Sequence, residues 1–342
     1  MADQYDISVV MSTYNRSEML RVALERLLNQ QSRGVSYEVI VVDNNSTDGT
    51  REVVESFVGA GHTNLRYVFE LRQGVSYGRN TGIACSSAEI IAFTDDDVRV
   101  GQDWISNMKR AFDEHPEVDF VGGPILPEWK SAPPEWLTRE HWWPLALLDF
   151  GDKPFYVNID IPLCLPTANI SFRRRAFDQI GLFSPEFSGR EDHELLVRLW
   201  RTDRQGIYIP DMIVTAEVQP ERLKKDYHRK WNLKTGKFNS LMRLNESVSH
   251  DGRFVGELPD LATLFGVPGF VYRRLFTESF SWFVAAARRQ KGKSLQHKNQ
   301  IWYLIGYISK RIEKDAAERK HSSLTEIGAF MKALLRKKLY RN

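Results

Sequence analysis

Short β-prone runs alternate with helical patterns through the first hundred residues, and this alternation constrains the fold more than any other feature. The runs are residues 7–11, 37–42, 65–69 and 89–94. After the first, Met19, Leu20, Ala23, Leu24, Leu27 and Leu28 recur at helical spacing, with Ser17 or Asn15 as the expected cap. Further helices are expected over residues 49–58, capped by a Ser, Thr or Asp of the loop before it, and over residues 75–86. Strands joined by helices of this length imply a mainly parallel sheet covered on both faces. The expected class is therefore α/β and Rossmann-like. Ligands bind outside the carboxyl ends of the strands in such sheets. The polar loops 12–16, 43–48 and 95–97 fall at strand ends and should line one rim.

The run Ile90-Ile91-Ala92-Phe93-Thr94 ends in Asp95-Asp96-Asp97. Three adjacent acids repel one another, and hard oxygen ligands at a strand end suit Mg²⁺ or Mn²⁺ alongside water and a ligand's phosphates. A solvated acidic turn is the plain alternative, and residue type alone does not choose. Neither a Gly-x-Gly-x-x-Gly fingerprint nor a Gly-x-x-x-x-Gly-Lys-[Ser/Thr] phosphate loop is present.

Five segments in order resemble glycosyltransferase family 2. They are Ser12-Thr13-Tyr14-Asn15-Arg16, Val41 through Thr50, Gly78-Arg79-Asn80-Thr81-Gly82 leading to Phe93 through Asp97, Thr167-Ala168-Asn169-Ile170-Ser171-Phe172-Arg173-Arg174, and Gly189-Arg190-Glu191-Asp192-His193-Glu194. The resemblance covers roughly residues 5–235. It implies an inverting, sugar-nucleotide-dependent enzyme of GT-A fold. The expected domains are 1–235 for the GT-A domain, with a nucleotide half of about 1–125 and an acceptor half of about 126–235. A basic helical region, 236–342, would follow.

The resemblance also implies roles. Asp43 would accept a hydrogen bond from the nucleobase, and the loop of Thr13, Tyr14 and Arg16 would pack on base and ribose. Arg79, with a fork suited to a diphosphate or base carbonyl, has a surface ion pair with Asp95 or Asp97 as its plain alternative. Asp95, with Asp96 beside it, would meet the ribose, and Asp97 the metal, Mn²⁺ or Mg²⁺. Asn169 would line the substrate site. Asp192 would be the general base, with Glu191 as helper or acceptor ligand. Acids at a helix start are also ordinary dipole partners, so residue physics alone leaves their role open. The usual acid two places after this Asp is here Glu194, and Thr167 stands where Gly is common. His228 is a candidate metal ligand or diphosphate contact, set against an ordinary residue on an exposed basic helix. Residues 127–156 carry many Trp and Pro residues and form a candidate acceptor-side lip, represented by Trp142.

Net charge is +3, but residues 253–342 carry 18 Lys+Arg against 7 Asp+Glu, a net +11, leaving −8 for residues 1–252. A basic tail meets polyanions. Without a nucleic-acid-binding motif the expected partner is membrane headgroups, not nucleic acid, with a solvated helical face of equal standing. Residues 276–287 and 301–308 are apolar and flanked by Lys and Arg, too short to span a membrane. Interfacial docking, closure over the sheet domain and dimerisation all remain open. Residues 258–272 contain Gly266-Val267-Pro268-Gly269, which must interrupt a helix. Cys85 and Cys164 read as buried free thiols in a reducing compartment. The acidic start of the chain lacks a secretory signal pattern, so the expected location is cytoplasmic, at the inner face of the plasma membrane.

The expected activity is transfer of a sugar from a nucleoside diphosphate, UDP first, to a hydroxyl of a saccharide or lipid-linked saccharide. The expected setting is envelope or exopolysaccharide assembly. A catalytically inactive nucleotide-sugar-binding or scaffold protein is one alternative. A sugar nucleotidyltransferase is another, disfavoured because Ser12–Arg16 contains no Gly.

Overall fold

The structure, a computed structural model, describes residues 5–187, 189–242 and 263–318. The first four residues, the stretch before Thr263 and the basic residues after Glu318 lie outside the described residues. The described chain divides into two compact units. One holds residues up to 130 and 145–218, and the other residues 131–144 and those from 219 onward.

The first unit opens with β1 (Ile7–Thr13), α1 (Ser17–Leu28), β2 (Tyr37–Asp43), α2 (Thr50–Gly59), β3 (Leu65–Phe69), α3 (Val75–Cys85) and β4 (Ile90–Phe93). It continues through β5 (Val98–Val100), α4 (Trp104–Glu114), β6 (Phe120–Gly122), β7 (Ile125–Trp129), β8 (Phe155–Val157), β9 (Ile170–Arg173) and α5 (Arg174–Ile180). It ends with α6 (Glu191–Arg201), β10 (Gly206–Tyr208) and β11 (Val214–Val218). Eight strands form the central sheet in the order β3-β2-β1-β4-β9-β6-β10-β8. β3, β2, β1 and β4 run parallel, and β9 runs antiparallel between β4 and β6. The expected α/β class and mainly parallel sheet are what the structure has. A second sheet, β5-β11-β7, carries the chain away from the acid triplet.

β1 and β2 are almost wholly buried, as continuous Val/Ile runs covered on both faces must be. The motif Gly78-Arg79-Asn80-Thr81-Gly82 explains how closely α3 lies on β1. A Cβ on Gly78 would overlap Ser12, and one on Gly82 would overlap the Val10 side chain. Two glycines one helical turn apart thus let the helix backbone rest on the strand. Behind β4, Phe93, Phe172, Phe177 and Phe183 pack edge to face or tilted at 5.3–6.2 Å.

Two expectations change at this level. The helix α1 has no cap from Ser17 or Asn15. Its Ser17 N–H is met instead by the Asp48 carboxylate at 2.9 Å, from the loop after β2. Asp48 also accepts from Thr50 at the start of α2, so one carboxylate serves two helix starts. Of the two free thiols Cys164 is buried, whereas Cys85, the last residue of α3, is only half-buried.

The second unit contains α7 (Lys225–Leu241), a hairpin of β12 (Thr263–Leu264) and β13 (Val267–Pro268), α8 (Gly269–Ala287) and α9 (Lys291–Glu318). The Gly266-Val267-Pro268-Gly269 break is this hairpin, with Gly266 at φ +67° and α8 starting after Pro268. α7 and α9 cross backbone to backbone, because Gly236 faces the Tyr303 carbonyl and Gly306 faces the Leu233 carbonyl. No helix among the described residues is long and apolar enough to cross a membrane.

The α3–β1 contact is testable. Gly82→Ala is expected to lose about 2 kcal/mol of unfolding free energy in urea denaturation. Gly59→Ala, at an open helix end where a Cβ meets nothing within 4 Å, should gain about 0.5 kcal/mol in the same assay.

Candidate active site

Side chains from the ends of β1, β2 and β4 meet at one rim of the first unit. The parallel register explains this: Thr13 pairs with Asp43 across β1 and β2, while Val10 pairs with Phe93, so the loop after β4 rises beside the loop after β1. The turn after β1 needs a left-handed residue and uses Asn15 at φ 51°. Its Oδ1 accepts from Thr47 N–H at 2.7 Å, and Ser46 Oγ accepts from Asn15 N–H at 3.0 Å. The loops after β1 and β2 are thereby tied together.

The three acids have three different environments. Asp96 is turned inward and is 4% exposed. Its carboxylate accepts from Thr13 Oγ1 at 2.7 Å and from Arg16 Nη1 at 2.9 Å. Burial raises its carboxyl above the ordinary value, and Arg16 offsets this in part. Asp95 and Asp97 are more open, with side chains 35% and 15% exposed. Asp97 stands 3.6 Å from Arg16, and Asp95 is 3.3 Å from Arg79. Burial raises the Asp95 carboxyl, Arg79 lowers it, and Asp97 pushes it up again.

Among the described residues no three His, Cys, Asp or Glu side chains converge on a metal position. Two outward carboxylates on one short turn still fit a hard divalent cation, which commonly takes one or two protein carboxylates with phosphates and water. The partial exposure of both the Asp95 and Asp97 carboxylates on that turn is the observation on which the fit rests. Asp97 also lines a cavity of about 220 Å³. Its walls include Arg99 and Lys130, which pair with Glu217 at 3.2 and 2.9 Å. No motif marks these two cations in the sequence, since strands far apart in the chain bring them here.

Arg79 organises the other side of the rim. It is not at the surface, as the ion-pair alternative supposed, but is 6% exposed inside α3. Its guanidinium donates to Glu191 and to Asp95 and lies 5.7 Å from the Phe183 ring centroid. Glu191, 5% exposed, also accepts from Gly189 N–H. Asp192 follows it in the first turn of α6 and accepts from His193 N–H at 2.7 Å. Burial and the neighbouring Glu191 raise its carboxyl, with Arg190 and Arg79 as partial offsets. His193 contacts Arg190 through Nδ1, and burial holds it well below its usual range, so its ring is neutral.

The segment before α6 is pinned to α3. Asn80 exchanges two hydrogen bonds with the Phe183 backbone at 2.9 and 3.0 Å, and Ser76 donates to the Ser184 carbonyl at 3.1 Å. Asn80 lies in the Gly78-Arg79-Asn80-Thr81-Gly82 segment, whereas Ser76 carries no sign in the sequence beyond membership of the small-residue helix.

Among the remaining candidates, Asp43 is buried at the end of β2. One of its oxygens accepts from Ser46 N–H at 2.8 Å and the other from Tyr67 Oη at 2.7 Å. Each oxygen retains a lone pair for a further donor. Burial and Asp43 together push the Tyr67 hydroxyl up, so it stays a donor. Tyr14 is exposed beside this loop.

Asn169 is not brought to the rim. It is fully buried, accepting from Trp104 Nε1 at 2.8 Å and donating to the Pro124 and Met212 carbonyls at 2.9 and 2.6 Å. Trp142 and His228 belong to the second unit. Trp142 is half-buried with the Arg139 guanidinium 5.5 Å from its ring. The helix carrying His228 does not expose it. Its ring is buried 5.1 Å from Trp136, with Nε2 3.1 Å from the Arg222 carbonyl, and burial lowers it to about 4.

Comparisons with known proteins agree with this architecture. The family model described as "Glycosyl transferase family 2" matches residues 8–181. The glucosyl-dolichyl phosphate glucuronosyltransferase of Haloferax volcanii is 28% identical over 177 residues, covering 51% of this chain and 55% of the relative. The chain thus spans about half the length of that curated relative. Among solved structures, mannosyltransferase PcManGT from Pyrobaculum calidifontis, in complex with GDP-Man and Mn²⁺, has a TM-score of 0.54 at 18% identity. That likeness covers 99% of this chain and 83% of PcManGT. S. aureus TarS 1–349, in complex with UDP-GlcNAc, has a TM-score of 0.51 at 16% identity, covering 92% and 93%.

The buried arrangement around Arg79 makes a direct prediction. Arg79→Met would leave Glu191 enclosed without its cation and is expected to cost about 3 kcal/mol or more in denaturant unfolding. Arg79→Lys should lose less, because an ammonium reaches one carboxylate and not two.

Proposed function

The chain belongs to glycosyltransferase family 2, and we propose that it moves a sugar from a nucleoside diphosphate, UDP first among the candidates, to a saccharide hydroxyl with inversion. The observation that carries this reading is the ordering of the acids. Asp96 is spent on the loop after β1, whereas Asp95 and Asp97 remain toward solvent. Arg79 joins that rim to the Glu191–Asp192 helix start within the same unit.

On this reading Asp43 holds the nucleobase N–H, the Thr13–Arg16 loop packs on base and ribose, and Asp95 meets the ribose. Asp97, with Asp95 beside it, would hold Mn²⁺ or Mg²⁺, which would neutralise charge on the departing diphosphate. Asp192 takes the proton of the acceptor hydroxyl. That oxygen forms its bond to the anomeric carbon as the carbon–oxygen bond to the diphosphate breaks on the opposite face, and the diphosphate keeps the electron pair. Asp192 then returns the proton to water. A carboxyl raised by burial suits this task, being a stronger base than an exposed one. Glu191, already held by Arg79 and Gly189, positions the base. We give His228 a packing role, since carbonyl and rings enclose it.

The test begins with calorimetric titration of UDP, GDP and dTDP, each with and without Mn²⁺. Metal-dependent binding of one nucleotide is expected, lost in Asp97→Ala. Asp192→Asn should keep that binding while transfer falls by about a hundredfold or more. In wild type, kcat/KM should fall as pH drops through an Asp192 pKa raised above the ordinary value of about 3.9, because the base works deprotonated. No binding of any nucleotide would overturn the reading.

We also propose that the second unit docks on an anionic membrane surface at the site of envelope glycan assembly. On α8, Phe276, Phe280 and Phe283 share one face and are 77%, 64% and 66% exposed. Arg273, Arg274, Arg288 and Arg289 flank them. Such a face enters the headgroup boundary, with its cations on the phosphates. Phe276→Ser/Phe280→Ser/Phe283→Ser is expected to weaken sedimentation with phosphatidylglycerol vesicles by about tenfold or more. Unchanged sedimentation would assign the face another role.

A further inference from the structure

The second unit contains a cavity of about 400 Å³ between α7, α8 and α9. That volume falls within the range of about 300–1,000 Å³ typical of small-molecule sites. Its composition is unusual for a helical bundle. Lys225 and Arg229 enter from α7, Trp282 from α8, and Lys291, Lys298 and Trp302 from α9. Four cations thus face one space. The single acid on the wall, Asp226, already pairs with Arg229 at 2.6 Å and with Lys230 at 2.7 Å. Lys291 stands 3.7 Å from Glu135, so the cationic excess of the cavity rests on Lys225 and Lys298.

Two further features give this excess a direction. The first turn of α9, through Ser294, lines the cavity, and a helix start favours negative charge. The two indoles supply apolar faces, and the Arg229 guanidinium lies 5.4 Å from the Trp302 ring centroid. Asn299, 8% exposed on the same wall, offers an amide to hydroxyl groups. The walls are also held firmly. α7 and α9 meet at Gly236 and Gly306, where a side chain on either helix would strike the partner's backbone. The α8–α9 seam buries Val271, Leu304 and Tyr307.

Cations bind phosphate oxygens, indole faces stack on the C–H surface of a pyranose, and an amide hydrogen-bonds its hydroxyls. We propose that this cavity binds a phosphate-bearing saccharide, as a site separate from the donor rim of the first unit. Its assignment as the phosphate-bearing part of the acceptor rests on the glycosyltransferase reading. The binding itself does not.

The full chain is titrated with glucose 1-phosphate, inorganic phosphate and glucose, followed by tryptophan fluorescence. Saturable quenching by glucose 1-phosphate is expected, weakened by about tenfold in Lys225→Ala/Lys298→Ala through loss of charge-assisted contacts. Trp302→Leu should weaken it as well. UDP binding measured by calorimetry, unchanged in both variants, shows that they are folded and that donor binding stands or falls separately.

Vesicles carrying a polyprenyl-phosphate-linked glucose distinguish the source. Retention above that on plain vesicles, lost in the lysine double variant, supports the site with a lipid-linked occupant. Glucose 1-phosphate binding without such retention supports it with a soluble one. The proposal is overturned if no probe saturates, if inorganic phosphate binds as tightly as glucose 1-phosphate, or if the lysine double variant binds like wild type.

Discussion

A buried guanidinium holds the candidate active site together. Arg79 sits inside α3 with almost no access to water, where an unpaired charge would be intolerable. Its two partners come from distant parts of the chain: Asp95 from the turn after β4 and Glu191 from the start of α6. One cation thus ties the rim that carries the acid triplet to the helix that carries Asp192. The reach of Arg79 depends in turn on how low α3 lies, and Gly78 and Gly82 set that by leaving β1 free of side-chain bulk. A larger residue at either glycine would lift the helix and draw the guanidinium from its carboxylates.

The acid triplet shows how local sequence and tertiary context divide the work. Three neighbouring aspartates have the same chemistry, yet the fold gives each a separate environment. Asp96 is consumed in bonds to Thr13 and Arg16, which hold the loop after β1 against the loop after β4. Asp95 is shared with the Arg79 network, and Asp97 borders a cavity also lined by Arg99 and Lys130. On the proposed reading, the inward acid builds the site and the outer two serve it.

The parallel half of the sheet was legible because its signals are local: apolar runs, helical spacing, and polar loops at strand ends. The grouping of Thr13, Asp43 and the acid triplet followed from topology alone. What escaped depends on long-range packing. The cap of α1 is Asp48, thirty-one residues away, and no local rule points to it. Asn169 sits in a motif-like segment, but its environment is the indole of Trp104 and the carbonyls of Pro124 and Met212 from loops distant in the chain, which pattern cannot supply. The helix over Lys225–Leu241 reads as basic and exposed, yet His228 falls on its packed side, against Trp136 from a segment about ninety residues earlier. Arg99 and Lys130 matter only because β5, β7 and β11 lie side by side.

Charge balance at the rim bears on the order of events. Asp43, Asp95, Asp96, Asp97, Glu191 and Asp192 outnumber Arg16 and Arg79, and burial has already raised the carboxyls of Asp95 and Asp192. A diphosphate approaching alone would meet this acidic surface and be repelled. On the proposed reading, a divalent cation held by Asp97 would offset that repulsion, so donor and metal should favour each other's binding. On the proposed mechanism, the nucleoside diphosphate left after transfer has lost its sugar ester and would carry more negative charge than the donor did. It would therefore hold a cation more tightly, while the same acids would oppose its staying without one. On the proposed mechanism, release of the nucleoside diphosphate with its metal is then the step that the electrostatics of this rim govern most directly.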